Sequence, residues 1–83
     1  MNTIMIEVVC PSSSRTYDYK LPLRMKNENI KSRLIEDIRT FENLPELFSD
    51  ESGISLYFNG VKLSGESTPE KSGLENGSVI VII

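Results

Sequence analysis

The segment ENGSVIVII, residues 75–83, decides how the rest of the chain must be arranged. Asn76 and Gly77 form a pair that tolerates positive φ and so turns the chain. The aliphatic run that follows, residues 79–83, is wholly β-branched, a composition that favours a strand. A period of two sends Ile80 and Ile82 to one side and Val79, Val81 and Ile83 to the other. Both sides of the ribbon are therefore apolar.

A second stretch rich in β-branched residues lies at the other end of the sequence. TIMIEVVC, residues 3–10, is rich in Ile and Val and is broken only by Glu7. Ile4, Ile6 and Val8 share one face, and Met5, Glu7 and Val9 share the other. Pro11 and the serines Ser12, Ser13 and Ser14 interrupt the strand. The chain then resumes as RTYDYKLPL, in which Tyr17, Tyr19 and Leu21 alternate with Thr16, Asp18 and Lys20. Clean alternation means one wet face, and the short connector predicts an antiparallel hairpin.

The period then changes. Ile30, Leu34, Ile38 and Phe41 fall within about 80° of one another at 100° per residue, which predicts one amphipathic helix. Asn27 or Asn29 caps its start in this reading, and Arg33, Glu36, Asp37 and Arg39 take outer positions. Pro45 lacks an amide hydrogen and restricts Leu44, so the helix ends near Asn43. Leu44, Leu47 and Phe48 are expected to tuck against the core, with residues 49–53 as a polar connection.

A period of two returns in ISLYFNGVKL, where Ile54, Leu56 and Phe58 alternate with Ser55 and Tyr57. Asn59 and Gly60 suit a two-residue hairpin turn, and Val61 and Leu63 form a short return strand. Ser67, Thr68, Pro69 and Glu70 carry a capping pattern for a short helical turn that Gly73 ends, leaving Leu74 to pack inward. No repeat or linker divides the sequence, so residues 1–83 read as one α+β domain, a mixed sheet of four to five strands under one main helix.

This order of elements, and in particular ISLYFNGVKLSGESTPEKSGLENGSVIVII, resembles the ubiquitin-like proteins over essentially the whole chain. The resemblance implies a β-grasp sheet with the first and last strands parallel and adjacent at its centre. Ile4, Ile6, Ile80 and Ile82 would then face the helix, each contributing about 1.5–3 kcal/mol of burial. Ubiquitin, its conjugating relatives and the sulfur carriers end in a Gly-Gly carboxylate that an activating enzyme adenylates, and no such pair follows Ile83 in this sequence. Conjugation and sulfur transfer are therefore not expected. The alternative reading is a modifier or carrier whose diglycine tail is missing from this chain. Length, TYDYKLP and NGSVIVII are also similar to the YukD/EsaB-like proteins, small cytoplasmic accessories of type VII secretion. That similarity implies a regulatory or supporting role exerted by protein contact.

Composition agrees with a binding role. A formal net charge of −3 disfavours a nucleic-acid or anionic-membrane partner, since a phosphate backbone requires a concentrated positive face. No run approaches membrane-spanning length and no signal peptide is legible, so a cytoplasmic location is expected. Cys10 stands alone and without any His in the chain, which predicts a small half-buried apolar residue and no disulfide. No nucleophile–base pair, metal-ligand cluster or phosphate-cradling loop can be assembled, so neither enzyme activity nor a cofactor is expected. The acidic neighbours Glu36 and Asp37, and Asp50 and Glu51, read as solvated side chains.

In ubiquitin the outer sheet face carries an aliphatic patch, and the matching positions are Tyr57 with Val81 and Ile83. Alternation adds Val79, and Met5 and Val9 on the first strand extend the surface. A contiguous apolar patch larger than a few hundred Å² is unusual on a monomer and usually marks an interface. These six residues are the expected protein-binding surface, and self-association through the same face is compatible with them. The competing reading is that β-branched residues suit a central strand and are tolerated on its outer side.

Overall fold

The computed structural model describes residues 2–83. Its elements are β1 (Thr3–Cys10), β2 (Arg15–Pro22), α1 (Asn27–Glu42), a 3-10 turn (Glu51–Gly53), β3 (Leu56–Phe58), β4 (Val61–Lys62) and β5 (Val79–Ile82). All five strands form one mixed sheet in the order β2-β1-β5-β3-β4. β5 runs parallel to β1 and antiparallel to β3, so the aliphatic ribbon is the middle strand. Its main-chain groups are paired with a strand on each side, which satisfies the backbone donors and acceptors of the middle strand.

Side-chain groups complete the join between the first and last strands. The Met5 amide donates to Asn76 Oδ1 at 2.9 Å. The amide of Gly77, at φ +87°, donates back to the Met5 carbonyl at 2.9 Å. Asn76 and Gly77 therefore both turn the chain and extend the β1–β5 ladder beyond β5 itself. At the other end of the sheet Asn59 and Gly60 take φ 52° and 76°, the two positive values that a type I′ hairpin between β3 and β4 demands.

The core lies between the sheet and α1. Ile6, Val8, Leu21, Ile80 and Ile82 are essentially inaccessible from below, and Ile30, Leu34, Ile35 and Ile38 close it from above. Phe48 and Leu74 seal the two ends. Leu74 reaches its place through a single helical turn: the Ser72 amide donates to the Thr68 carbonyl at 2.9 Å, Pro69 is buried, and Gly73 turns the chain at φ +84°.

Five local expectations are corrected. Neither Asn27 nor Asn29 caps α1; the residue at the cap is Lys26, with no side-chain bond to the helix. Asn27 is instead buried, and its Nδ2 donates to the Ser64 carbonyl at 2.9 Å and to Ser72 Oγ at 3.3 Å. It fastens the helix start to the loop before β5. Phe41 shares the angular phase of Ile30 and Leu34 but is 75 % exposed, because the last turn of α1 runs past the core and meets Tyr17 edge-on, with ring centroids 6.0 Å apart. Ile35 takes its place in the core.

Leu44 points outward, since Asn43 ends the helix in the left-handed conformation and reverses the chain, leaving Phe48 to fill the core. Cys10 is fully buried, because even-numbered residues of β1 all face the helix. Arg39, expected on the outer side, is half-buried: its guanidinium donates to the carbonyls of Leu47 and Phe48 and lies 3.5 Å from Glu51. Lys31 adds bonds to the carbonyls of Glu51 and Ile54 at 3.1 and 3.0 Å. Two cations of α1 thus supply donors to a connector that has few main-chain partners of its own.

Candidate protein-binding surface on the outer sheet face

With Ile80 and Ile82 turned under α1, the pleat of β5 turns Val79, Val81 and Ile83 to the opposite side of the sheet. Val79 is 44 % exposed and Ile83 is 50 % exposed, while Val81 is half-buried between its neighbours. Strand register decides which of the six expected residues meet. Val9 is level with Val81 across the parallel ladder, and Val81 is level with Tyr57 across the antiparallel one. Val9, Val81 and Tyr57 therefore form one row across three adjacent strands. Ile83 lies next along β5, held by bonds between its main chain and that of Ser55 at 2.8 and 3.1 Å.

Tyr57, Val79, Val81 and Ile83, with Asn59 and Gly60, line a shallow depression of about 410 Å³. Gly60 leaves one wall low, since no other atom lies within 4 Å of where its Cβ would stand. Met5 is 50 % exposed on the same face but set apart. Glu7 lies between Met5 and Val9 and is level with Val79, so a carboxylate separates Met5 from the others. Hence five of the expected positions converge and the sixth stands beyond a charge.

The order β2-β1-β5-β3-β4, with a helix crossing one face and parallel first and last strands, has close counterparts among solved structures. The N-terminal ubiquitin-like domain of the 4931431F19Rik protein superposes with a TM-score of 0.72 at 16 % identity, covering 99 % of this chain and 74 % of that one. The fold is the ubiquitin-like β-grasp. A ubiquitin-like domain of an Arabidopsis thaliana protein matches the whole chain, and 78 % of its own length, at TM-score 0.71 and 20 % identity. A de novo protein designed on the basis of ubiquitin matches at TM-score 0.69 and 16 % identity, over 99 % of this chain and 88 % of the design. No family model and no curated protein sequence matches the chain.

Within this ubiquitin-like frame the sequence reading missed a second surface feature. A groove of about 730 Å³ opens between β2 and the last turns of α1, lined by Tyr17, Tyr19, Leu34, Asp37, Ile38 and Phe41 among others. The Tyr17 hydroxyl donates to Glu42 at 2.7 Å and bonds Ser13 at 2.9 Å, and the Tyr19 hydroxyl donates to Asp37 at 3.1 Å. Desolvation raises the ionisation of both phenols above the ordinary value of 10.0, with the neighbouring carboxylates adding to it. The sequence signal for this groove was the pair of tyrosines on the inward side of an edge strand, a side that α1 covers only in part.

Among the described residues no group of three or more His, Cys, Asp or Glu side chains is placed to hold a metal ion. No described helix is long and apolar enough to cross a membrane.

Proposed function

We propose that this ubiquitin-like chain is a non-catalytic protein-interaction module that binds its partner through the outer face of β1, β5 and β3. The observation that carries the reading is the row of Val9, Val81 and Tyr57, flanked by exposed Val79 and Ile83, around a shallow apolar depression. A partner that inserts one or two aliphatic or aromatic side chains there removes apolar surface from water at about 25 cal/mol per Å². Glu7, Asn59 and Lys62 around the patch supply a polar rim, the arrangement expected of an interface.

The similarity of TYDYKLP and NGSVIVII to the YukD/EsaB-like proteins supports a finer reading: a cytoplasmic accessory or regulator of a type VII secretion system, contacting components of the machinery. The test pairs Val81→Asp with Tyr57→Ser. The double variant should keep its far-ultraviolet circular dichroism yet fail to capture secretion-machinery components in a pull-down. Unchanged capture assigns binding to another surface; capture of no such component by the unaltered protein removes the secretion reading.

A further inference from the structure

β2 is an outer strand of the sheet, and its free side carries the main-chain groups of Thr16, Asp18 and Lys20. The bond from the Leu23 amide to the Asn2 carbonyl fixes this phase: in the β1–β2 register, odd-numbered residues of β2 face β1 and even-numbered ones face away. Pro22 falls on the outward side, where its missing N–H leaves no bond unmade within the sheet and marks the end of the usable edge. Among the described residues no bulge interrupts the register of this strand, which spans eight residues, and the blunting devices it carries are its charged side chains and Pro22. We propose that two copies of the chain pair through β2, antiparallel about a two-fold axis at Tyr19, to form one continuous sheet.

Charge selects that register. Glu7 and Asp18 are level across β1 and β2, two carboxylates on the same outer face. Glu7, Asp18 and Lys20 take part in none of the ion pairs among the described residues. Centring the axis on Asp18 or on Lys20 would set like charges opposite each other. A Tyr17 centre would leave Lys20 opposite Ser14, which sits in the left-handed turn at φ 57° outside the strand. Only the Tyr19 centre sets each Asp18 opposite Lys20 of the second copy, so the opposite-charge contact is made twice by symmetry.

The same register exchanges main-chain bonds between Asp18 and Lys20 of the two copies. It lets the Thr16 amide donate to the second copy's Pro22 carbonyl. On the other face, Tyr19 meets Tyr19 of the second copy and Tyr17 lies opposite Leu21. The groove beside α1 opens at this seam, and Phe41, 75 % exposed, stands at its lip. A two-fold axis perpendicular to the sheet brings both helices to the same face, so each groove is closed by the strand of the other copy. This contact uses the edge of the sheet and leaves the outer-face patch free.

Sedimentation equilibrium on the full chain tests the pairing, with Asp18→Lys, Lys20→Asp and the exchange that carries both substitutions. The unaltered protein should dimerise, each single reversal should weaken dimerisation by about tenfold or more, and the exchange should return it to within about threefold. Amide hydrogen exchange of the unaltered protein gives a reading independent of any variant: Thr16, Asp18 and Lys20 should slow as protein concentration rises. A monomer at millimolar concentration, a dimer whose three amides stay fast, or an exchange variant that does not recover would each overturn the proposal. Protection of these amides only on adding an extended apolar peptide would assign the edge to such a peptide instead.

Discussion

The alternation along β5 yields a quantitative contrast between adjacent residues. Ile80 and Ile82 are 0 % exposed, so Ile80→Val or Ile82→Val removes one methylene from a close-packed site. Each should cost about 0.5–1.5 kcal/mol. In a domain of this size each kcal/mol lowers the melting temperature by about 4–8 °C, so either change should lower it by about 2–12 °C. Val81→Thr, one residue away, replaces a methyl by a hydroxyl of similar shape on the half-buried outer side. Its hydroxyl stays within reach of water and its β-branching is retained, so the cost should stay within about 0.5 kcal/mol. Urea and thermal unfolding followed by circular dichroism measure all three, and an unchanged urea slope confirms that only stability has moved. A Val81→Thr loss as large as that of Ile80→Val would refute the assignment of faces, and with it the outer patch.

Other expectations follow from single positions. Asn27→Ala removes a buried side chain whose amide bonds the Ser64 carbonyl and the Ser72 hydroxyl and should destabilise by about 1–2 kcal/mol in urea unfolding, whereas Asn29→Ala, at an exposed site, should change little. Gly60→Ala meets no atom within 4 Å, so its cost should be conformational alone, about 1–2 kcal/mol from the positive φ of 76°, and Asn in the same place should recover part of it. Tyr17 and Tyr19 bind their protons more tightly folded than unfolded. The unfolded chain therefore releases them first, and stability should be full below pH 10.0 and fall as pH rises through the raised values. Urea midpoints across that alkaline range check it, and Tyr17→Phe with Tyr19→Phe should flatten this part of the curve.

How much of this was legible in the sequence depends on whether a residue's place follows from local period or from what other segments do to it. Strand faces were readable: Ile4, Ile6, Ile80 and Ile82 lie under α1 because a period of two leaves only two choices of face for each strand. The central position of β5 does not follow from local period; it came from the resemblance to ubiquitin-like proteins, and the strand order bears it out. Asn27 was not, because an Asn before a helical period normally reads as a cap, and only the loop at Ser64 and Ser72 gives it a different set of partners. Phe41 has the right phase and the wrong height; a helical wheel reports angle and is blind to where the sheet beneath it ends. Likewise Glu7 was visible as a break in an apolar strand, but its separation of Met5 from Val9 acquires meaning only when the register sets it level with Val79.

The position of the patch on the middle strand also determines how it must be probed. Asp at position 81 would stand between Val9 and Tyr57, in a strand flanked on both sides, where poor strand propensity can cost up to about 1 kcal/mol in addition to any lost binding. Net stability of so small a domain is itself only about 3–5 kcal/mol, so lost capture by an Asp variant would be open to two explanations. Val81→Thr separates them: it keeps the β-branched outline and the stability while making the floor of the depression polar. If the outer face is the docking surface, Val81→Thr should weaken capture while Ile80→Val, the more damaging change to the fold, leaves it intact. The reverse order of effects would mean that capture follows stability alone, and the row of Val9, Val81 and Tyr57 would then be a strand packed for its own sake.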